Sequence, residues 1–260
     1  MPELPDLEIF KTNVYNSITS KRLVSFSVFN VRKVLAPERI VTESLQNRVL
    51  LGIHRVGKEL LFDFGEGRAA AAHLMLNGKM SIVEKTAVET IPYGICSFNF
   101  ENESLVFSDP GSLCTIRYMP VADKTPDAFD PFFTLAYFLG IAHKKSRMNI
   151  KAFLIDQHIV KGIGNAYADE ILWAARISPH SLVGKIPDDV LSVLYTAIGS
   201  VLQDAIESIR RISPDIISGE ERRFLQVHTK TKKETSTGYP IIVERINSKI
   251  TYYTEEQVEY

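Results

Sequence analysis

The spacing of apolar residues changes once along this chain, near residues 124–133, and this change constrains the fold more than any other feature. From residue 22 to about 120, short apolar or alternating runs are divided by Gly, Asn and Asp turns, which is typical of antiparallel strands. Beyond residue 133, apolar residues recur at helical spacing. The intervening segment KTPDAFDPFF is rich in proline and aspartate and predicts a domain boundary.

The N-terminal part is predicted to be a helix followed by an antiparallel β-sandwich or barrel. The helix begins at about residue 5, where Asp6 and Glu8 suit the positive end of the helix dipole. Asn102 lies between two alternating runs and predicts a tight hairpin turn. The strands are expected in RLVSFSVFN, RVLLGIHRVG, ELLFDFG, AAAHLML, KMSIVE, GICSFNFENESLVFSD and TIRYMPV.

The C-terminal part is predicted to be helical and to end in a small β-hairpin. PIIVERI and KITYYT would pair across Asn247-Ser248. Helices are expected in TLAYFLGIAHKK, IKAFLIDQHIV, NAYADEILWAARI and DDVLSVLYTAIGSVLQDAIESIRRI. The fold class is therefore α+β, with predicted domains at 1–125, 131–220 and 221–260.

Charge alone does not identify a partner. The formal net charge of −1 and the pI near 6.6 by themselves argue against a polyanion. Cations are nevertheless concentrated in HKKSRMNIK (143–151) and RRFLQVHTKTKK (222–233). Each cluster marks either a polyanion site or only a solvated face.

Apolar runs and cysteines bear on location and on metal binding. The sequence shows no secretory signal and no run of 18 consecutive apolar residues, so we expect a cytoplasmic protein with no membrane partner. Cys96 and Cys114 lie in strand-like text and are not spaced as a metal-binding pair. They predict buried thiols, no metal site and no cofactor.

The chain begins MPELP, and Pro2 would become a secondary amine at the N-terminus once Met1 is removed. A terminal amine titrates at about pH 7.7 to 8.0, so part of it is unprotonated at cellular pH and can attack an aldehyde or a sugar anomeric carbon. Glu3 stands next to it and could supply or accept protons. Alternatively, Pro2 and Pro5 only stiffen the start of the helix.

A second candidate site lies in KGIGNAYADEIL (161–172), where two glycines precede Asn165 at the start of a helix. Backbone N–H groups and the dipole at a helix start can hold a phosphate. Lys151 and Lys161 add positive charge near the same corner. The alternative is an ordinary glycine-rich cap with no ligand.

Four stretches taken together carry a family resemblance. They are PELPDLE, RVGKELLF (55–62), HLMLNGKM (73–80) and IKAFLIDQHIVKGIGNAYADEILWAARISP (150–179), and in order they cover nearly the whole chain. The sequence resembles the formamidopyrimidine-DNA glycosylase and endonuclease VIII family. The resemblance implies a monomeric base-excision repair enzyme with a helix-two-turns-helix motif. Its partner would be double-stranded DNA with damaged bases or abasic sites, bound in a cleft between two domains.

The resemblance also implies a role for each matching residue. The Pro2 nitrogen would attack C1′ of a damaged nucleotide turned out of the stack and release the base, with Glu3 as the acid/base partner. The resulting Schiff base would allow strand cleavage by β- and δ-elimination. Lys58 would contact phosphate and help protonation, and Asn165 would hold phosphate at the helix start. An isolated lysine at that position would otherwise be a solvated strand-end residue.

The residues that fill the gap left by the extruded base differ from the family pattern of methionine, arginine and phenylalanine. Leu76 matches the methionine, while DPGSLC places Gly111 where the opposite base is read and Leu113 where the aromatic wedge belongs. We expect weak or differently built discrimination of the partner base. The stretch ISPDIISGEERRF (212–224) is also short for the lid that covers 8-oxoguanine in the purine-specific branch of the family. We therefore expect oxidised pyrimidines, ring-opened purines or abasic sites as substrates rather than 8-oxoguanine. His73 and Lys151 complete the predicted DNA contacts.

The C-terminal hairpin is a second departure, because the family ends in a four-cysteine zinc finger and no cysteine follows Cys114 here. GYPIIVERINSKITYYTEEQ resembles that finger with its ligands replaced, which makes it a zincless finger. Lys249 takes the place of an arginine at the tip and would meet phosphate as a point charge. The hairpin is expected to be held by packing of Ile241, Val243, Ile246 and Tyr253.

Two other functions remain open from the sequence. The altered DPGSLC loop favours a catalytically silent relative that binds damaged duplex DNA and recruits other proteins. The helix-two-turns-helix motif also occurs in proteins that hold RNA backbone, although the Pro-Glu start would have no role there.

Overall fold

The computed structural model of the protein describes residues 1–121 and 123–260. The chain forms two compact units. One consists of Met1–Asp123 with Ile209–Glu220, and the other of Lys124–Ser208 with Glu221–Tyr260. The first unit therefore includes a short segment that is distant from it in the sequence.

The first unit begins with helix α1 (Leu4–Ile18), which starts where the sequence predicts a helix. The strands that follow are β1 (Ser25–Val28), β2 (Gly52–Val56), β3 (Glu59–Asp63), β4 (Ala69–His73), β5 (Lys79–Glu84), β6 (Gly94–Asn99), β7 (Glu103–Ser108) and β8 (Thr115–Tyr118). They form antiparallel sheets with the orders β1-β6-β7-β5 and β2-β3-β4-β8. The hairpin predicted at Asn102 joins β6 to β7.

The two sheets face each other across one apolar core, so the predicted sandwich is confirmed. Phe62 of β3 stacks on Phe98 of β6 with ring centroids 5.5 Å apart, and it meets Phe107 of β7 edge-on at 5.8 Å. All three rings are buried. Because burying one phenylalanine stabilises a fold by roughly 1.5–3 kcal/mol, this cluster is a main source of cohesion between the sheets.

Helix α2 (Glu38–Leu45) corrects the prediction that the region from 22 to 120 contains only strands. Glu38 lies in its first turn, and Val41 and Leu45, four residues apart, pack into the core of the sandwich. The helix has only eight residues. A helix of two turns contains too few apolar residues for its periodicity to be recognised in the sequence. Such a short helix is stabilised by tertiary packing. A 3-10 helix (Lys85–Thr90) lies between β5 and β6.

The second unit is mainly helical. It contains α3 (Leu135–Lys144), α4 (Ile150–Ile155), α5 (Asn165–Ala174), most of α6 (Asp188–Ile212), a 3-10 turn (Val183–Lys185) and the hairpin strands β9 (Ile242–Ile246) and β10 (Lys249–Tyr253). The predicted bounds of α6 are confirmed. The helix predicted through residue 160 is wrong beyond Ile155, because the side chain of Asp156 accepts the backbone N–H of His158 at 2.9 Å and starts a turn.

Helix α6 is the single helix in the described parts of the chain whose length and composition would allow it to cross a membrane, with a mean hydropathy of 1.2 over its best window. Its apolar stripe is buried within the protein, at Leu191, Leu194, Ile198 and Leu202. The core helices of globular proteins have the same length and composition, so this property is weak evidence for a membrane.

The C-terminal hairpin forms as predicted, with a two-residue turn. Asn247 and Ser248 have φ of 47° and 65°, the two left-handed residues of a type I′ turn. The predicted anchor Val243 is wrong, because its side chain is 55% exposed, whereas Thr251 and Tyr252 are buried. The reason is that β10 packs against α5 and β9 is the outer strand.

Candidate active site and nucleic-acid interface

Pro2 and Glu3 lie at the buried start of α1, in the first unit. Glu3 is 4% exposed and caps the helix. Its backbone N–H donates to Oδ2 of Asp6 at 2.9 Å, and its own carboxylate accepts the backbone N–H of Asp6. This reciprocal capping box fixes the orientation of the Pro2-Glu3 peptide. The amine of Met1 pairs with the carboxylate of Glu220.

Lys58 lies in the two-residue turn between β2 and β3. Gly57 precedes it with a φ of 60°, as the first central position of a type II′ turn requires. The guanidinium of Arg55 donates to Oε2 of Glu8 at 3.0 Å and to the carbonyl of Gly57 at 3.1 Å. Arg55 therefore ties the turn that carries Lys58 to helix α1, which follows the candidate nucleophile Pro2 in the chain.

The ion pair between Glu8 and Arg55 is a structural feature of the candidate site that the sequence alone does not reveal. Burial acts to raise the pKa of Glu8, but a hydrogen bond from Lys11 and the charge of Arg55 outweigh it, so the pKa is lowered. Glu8 thus stays ionised at neutral pH and keeps the Arg55 side chain, itself 6% exposed, in place. From the sequence, Glu8 is expected only to interact favourably with the dipole of helix α1.

His73 ends β4 and is partly buried. Its Nδ1 accepts the backbone N–H of Met75 at 3.0 Å. Burial lowers the pKa of His73; the charge of Glu59 acts against this, and the charges of Lys58 and Arg117 lower the pKa further. The imidazole is therefore neutral at physiological pH, and in this structure it orders the loop that follows β4.

Leu76 protrudes from that loop and is 57% exposed. The loop is tight: Met75 has a φ of 55°, and the backbone N–H of Gly78 donates to the carbonyl of Leu74 at 2.9 Å. A Cβ added at Gly78 would lie 2.2 Å from the same carbonyl oxygen. Only glycine closes this turn without moving the backbone, so Gly78 determines how Leu76 is presented.

The loop from 109 to 114 is organised by one buried carboxylate. Asp109 accepts the backbone N–H groups of Gly111, Leu113 and Cys114 at 2.8, 2.6 and 2.7 Å. Leu113 is 38% exposed. A Cβ at Gly111 would lie 3.6 Å from Nδ2 of Asn77, so this loop adjoins the loop after β4. Two exposed leucines are thus presented by neighbouring loops of the first unit.

The predicted burial of both thiols is confirmed, since Cys96 and Cys114 are each 0% exposed. Burial, and secondarily the charge of Asp109, raise the pKa of Cys114 to about 12. Within residues 1–121 and 123–260, no group of three or more His, Cys, Asp or Glu side chains is arranged to hold a metal ion.

Asn165 begins α5 in the second unit, with Gly164 as the N-cap. Its Nδ2 donates to the carbonyl of Ile250 at 2.9 Å. The turn before it is braced by Gln157, which accepts the backbone N–H of Gly162 at 3.0 Å. The amide of Gln157 also donates to the carbonyls of Ile155 and Ile163, both at 2.8 Å. No motif in the sequence predicts this role of Gln157.

Lys151 does not lie on the surface, which corrects its predicted contact with DNA. The residue is 2% exposed, and its ammonium lies 2.7 Å from Oδ1 of Asp169. The ammonium also donates to Oγ1 of Thr251 at 2.8 Å and to the carbonyl of Ile250 at 3.2 Å. A lysine is buried in this way only when a counter-charge and acceptors surround it. Lys161 is likewise mostly buried, at 9% exposed.

Lys249 follows the hairpin turn directly and is exposed. Arg245, on the opposite strand, is exposed as well and donates to the carbonyl of Ser248 at 3.2 Å. The hairpin tip therefore carries two cations, of which only Lys249 was predicted.

The two cation-rich stretches differ in their surroundings. Residues 143–147 are exposed, with His143 paired to Asp188 at 2.8 Å. In the second stretch, Arg222 stacks on the ring of buried Tyr167 at 5.1 Å from its centroid. Charge in the first stretch is thus available to a partner, while part of the second contributes to the fold.

Comparison with known proteins gives consistent results for both units. A family model described as the formamidopyrimidine-DNA glycosylase N-terminal domain matches residues 1–116, and one described as the formamidopyrimidine-DNA glycosylase H2TH domain matches residues 125–214. The formamidopyrimidine-DNA glycosylase of Carboxydothermus hydrogenoformans is 31% identical over 238 residues, which cover 88% of this chain and 89% of that protein. The protein of the same name from Lactococcus lactis subsp. lactis is 29% identical over 243 residues and 89% of each chain.

Solved structures are similar over almost the full length. Lactococcus lactis Fpg in complex with DNA that contains an oxidised pyrimidine matches with a TM-score of 0.88 and 25% identity, covering 99% of this chain and 100% of that chain. A complex of Lactococcus lactis Fpg with DNA that contains an abasic site matches with a TM-score of 0.88, 24% identity and the same coverage. The predicted α+β fold class is confirmed.

Proposed function

We propose that this chain, which belongs to the formamidopyrimidine-DNA glycosylase family, is a DNA glycosylase and abasic-site lyase of base-excision repair. The family membership predicted from the sequence is confirmed by the relatives described above. The activity, the nucleophile and the contacts with DNA are our proposals. We expect the protein to work in the cytoplasm as a monomer.

Catalysis would begin once Met1 is removed, because the nitrogen of Pro2 is then an amine with a lone pair rather than an amide. That nitrogen attacks C1′ of the damaged nucleotide, and the bond from C1′ to the base breaks as the base leaves with a proton. The C1′–O4′ bond of the sugar then breaks as O4′ takes a proton, which leaves an iminium between C1′ and the Pro2 nitrogen. The iminium withdraws electrons and acidifies the C2′ protons, so that the 3′-phosphate and then the 5′-phosphate are eliminated. Glu3 transfers the protons that these steps require.

The observation that carries this proposal is the buried, capped start of α1. Glu3 is 4% exposed, and the capping box with Asp6 fixes its backbone next to Pro2. An acid/base group held in one orientation beside the nucleophile is what proton transfer at C1′ requires.

The proposed contacts with DNA fall into two kinds. Lys58, Asn165 and Lys249 would bind phosphates, which position the duplex without reading its sequence. Leu76 and Leu113 would fill the gap left by the extruded nucleotide, since both are exposed apolar side chains on neighbouring loops. In terms of domains, we assign the chemistry and the Lys58 contact to 1–125, and the contacts through Asn165 and Lys249 to 131–220 and 221–260.

A covalent trapping experiment tests the proposed chemistry. Protein shown by mass spectrometry to lack Met1 is mixed with borohydride and duplexes that carry an abasic site, an oxidised pyrimidine or 8-oxoguanine. We expect a covalent adduct and a nicked strand with the first two duplexes, and less of both with the third. P2G keeps a terminal amine once Met1 is removed but lacks the ring that orients it, so it should form less adduct than the wild type while still binding DNA. P37G, which replaces an exposed proline before α2, should form as much adduct as the wild type.

One structural feature favours a second function, a catalytically silent reader of damaged DNA. Gly111 and Leu113 replace the family's side chains for reading the opposite base and wedging the stack, so lesion binding and catalysis need not be coupled here. If processed wild-type protein binds the abasic duplex but forms no adduct, the enzyme proposal is wrong and the silent reader is supported.

A further inference from the structure

The predicted phosphate ligands Asn165 and Lys249 are on different elements of the second unit, yet a short chain of contacts joins them. The Nδ2 of Asn165 donates to the carbonyl of Ile250 at 2.9 Å, and Ile250 directly follows Lys249 on β10. The same carbonyl accepts the ammonium of Lys151 at 3.2 Å. The start of α5 and the hairpin tip are thus fixed to a common carbonyl group.

The buried carboxylate of Asp169 holds this arrangement together. Asp169 is 1% exposed, and its Oδ1 lies 2.7 Å from the ammonium of Lys151. Its Oδ2 accepts the backbone N–H of Tyr252 at 3.0 Å and lies 2.7 Å from Nδ1 of His228. The imidazole of His228 in turn packs on the ring of Tyr252, with centroids 4.6 Å apart.

The Asp169 side chain therefore joins its own helix to three other parts of the second unit. Asp169 stands on α5, Lys151 on α4, Tyr252 on β10 and His228 in the segment before the hairpin. A buried carboxylate that lost this set of partners would be strongly unfavourable, and so would a buried ammonium without its counter-charge. The cluster consequently has one stable arrangement, and that arrangement sets where the hairpin tip lies relative to the start of α5.

We propose that Asp169 is a positioning residue for DNA binding, which holds the Lys249 tip at a fixed distance from Asn165 through the Lys151, Tyr252 and His228 contacts. The cluster gives the hairpin the rigid attachment that a metal would provide in a zinc finger. Asp169 itself is buried and does not touch DNA. The inference rests on the proposed function, because it assumes that Asn165 and Lys249 bind phosphates of one duplex.

The salt dependence of DNA binding tests this role. A plot of log affinity against log salt concentration has a negative slope, and each lost phosphate contact reduces the magnitude of that slope by about 0.9. We expect K249A to show this loss on a duplex with a stable abasic-site analogue. D169N should lower the affinity at least as much and reduce the slope equally, because the tip is no longer held in place. The double variant D169N/K249A should have the same slope as either single variant.

Matched controls separate positioning from general damage to the fold. D204N removes the same charge from an exposed site on α6 and should bind like the wild type. If D169N does not fold, K151M/D169N removes both members of the buried ion pair and should fold, while still showing the reduced slope. The proposal is overturned if D169N, or K151M/D169N where D169N does not fold, shows the salt slope of the wild type. It is also overturned if adding K249A to that variant reduces the slope further.

The borohydride reaction distinguishes failure of this inference from failure of the proposed function. With abasic-site DNA, the control D204N should form as much covalent adduct as the wild type, because Asp204 is exposed and lies outside the proposed cluster. If wild-type protein forms the adduct and D169N binds DNA normally, only the positioning role is wrong. If wild-type protein forms no adduct, the proposed function is wrong, whatever D169N does.

Discussion

Single buried carboxylates order several of the segments that matter for function. Asp109 binds three backbone N–H groups of the loop that presents Leu113. Glu170 does the same for Gln226, Val227 and His228, at 2.9, 2.9 and 2.7 Å. Burial raises the pKa of Glu170, although these N–H groups act in the opposite direction. A chain segment without regular structure can thus be as well ordered as a strand.

The same environment makes the thiol next to Asp109 unreactive. Burial and the neighbouring carboxylate raise the pKa of Cys114 to about 12, and burial raises that of Cys96 well above its usual value. Since the thiolate is the reactive form, iodoacetamide at pH 8 should modify neither cysteine in the folded protein. Both should react in guanidinium chloride. Mass spectrometry of intact protein measures the number of labels, and labelling of the folded protein would contradict the buried placement.

At the level of helices and strands, the sequence predicts best where a local rule is sufficient. Asn247-Ser248 occupies a two-residue turn because these residues tolerate left-handed φ, and α6 has the predicted bounds because its apolar period is long. The short helix α2 depends on packing against the core, and α4 ends early because of the Asp156 side chain. Neither effect can be predicted from the spacing of apolar residues.

Some site residues are placed by contacts with residues from distant parts of the chain, and such contacts could not be predicted from the sequence. Lys151 occurs in a basic stretch and looks like a surface cation, but its environment is set by Asp169 and by Thr251, which is a hundred residues away. Arg55 and Glu8 come from different elements in the same way. The helix that follows Pro2 and Glu3 could be predicted because its apolar spacing and the acidic residues of its first turn are local patterns.

The loop after β4 provides a test of how tightly Leu76 is held. G78A places a methyl group 2.2 Å from the carbonyl oxygen of Leu74, so the backbone must move. We expect a loss of about 2 kcal/mol or more in the free energy of unfolding, together with weaker binding to abasic-site DNA. The reference is G111A, where the nearest atom is the Asp109 side chain at 3.3 Å, and the loss should be smaller.

Urea unfolding of the two variants gives the comparison. L76A should unfold like the wild type, because its side chain is 57% exposed, but it should share the weaker DNA binding of G78A. If G78A is as stable as G111A, the turn is not under the constraint that its geometry indicates.

The segment Ile209–Glu220 shows how distant parts of the chain form one unit. The side-chain amide of Asn13 on α1 donates to the carbonyls of Pro214 and Ile216, at 2.7 and 2.9 Å. The hydroxyl of Ser218 bonds both the N–H and the carbonyl of Met80, each at 2.6 Å. Helix α1 is therefore bonded, through Asn13, to residues some two hundred positions away.

The attachment of the hairpin predicts how the protein responds to metal removal. No cysteine follows Cys114, and the buried ion pair of Lys151 and Asp169 fixes β10 instead. Incubation with 1,10-phenanthroline or EDTA should therefore leave the thermal unfolding midpoint and the affinity for abasic-site DNA unchanged. A four-cysteine zinc-finger protein treated in parallel should lose structure, because its folding free energy comes from the metal. A fall of more than about 2 °C in the midpoint, or release of zinc on unfolding, would show that a metal stabilises this fold after all.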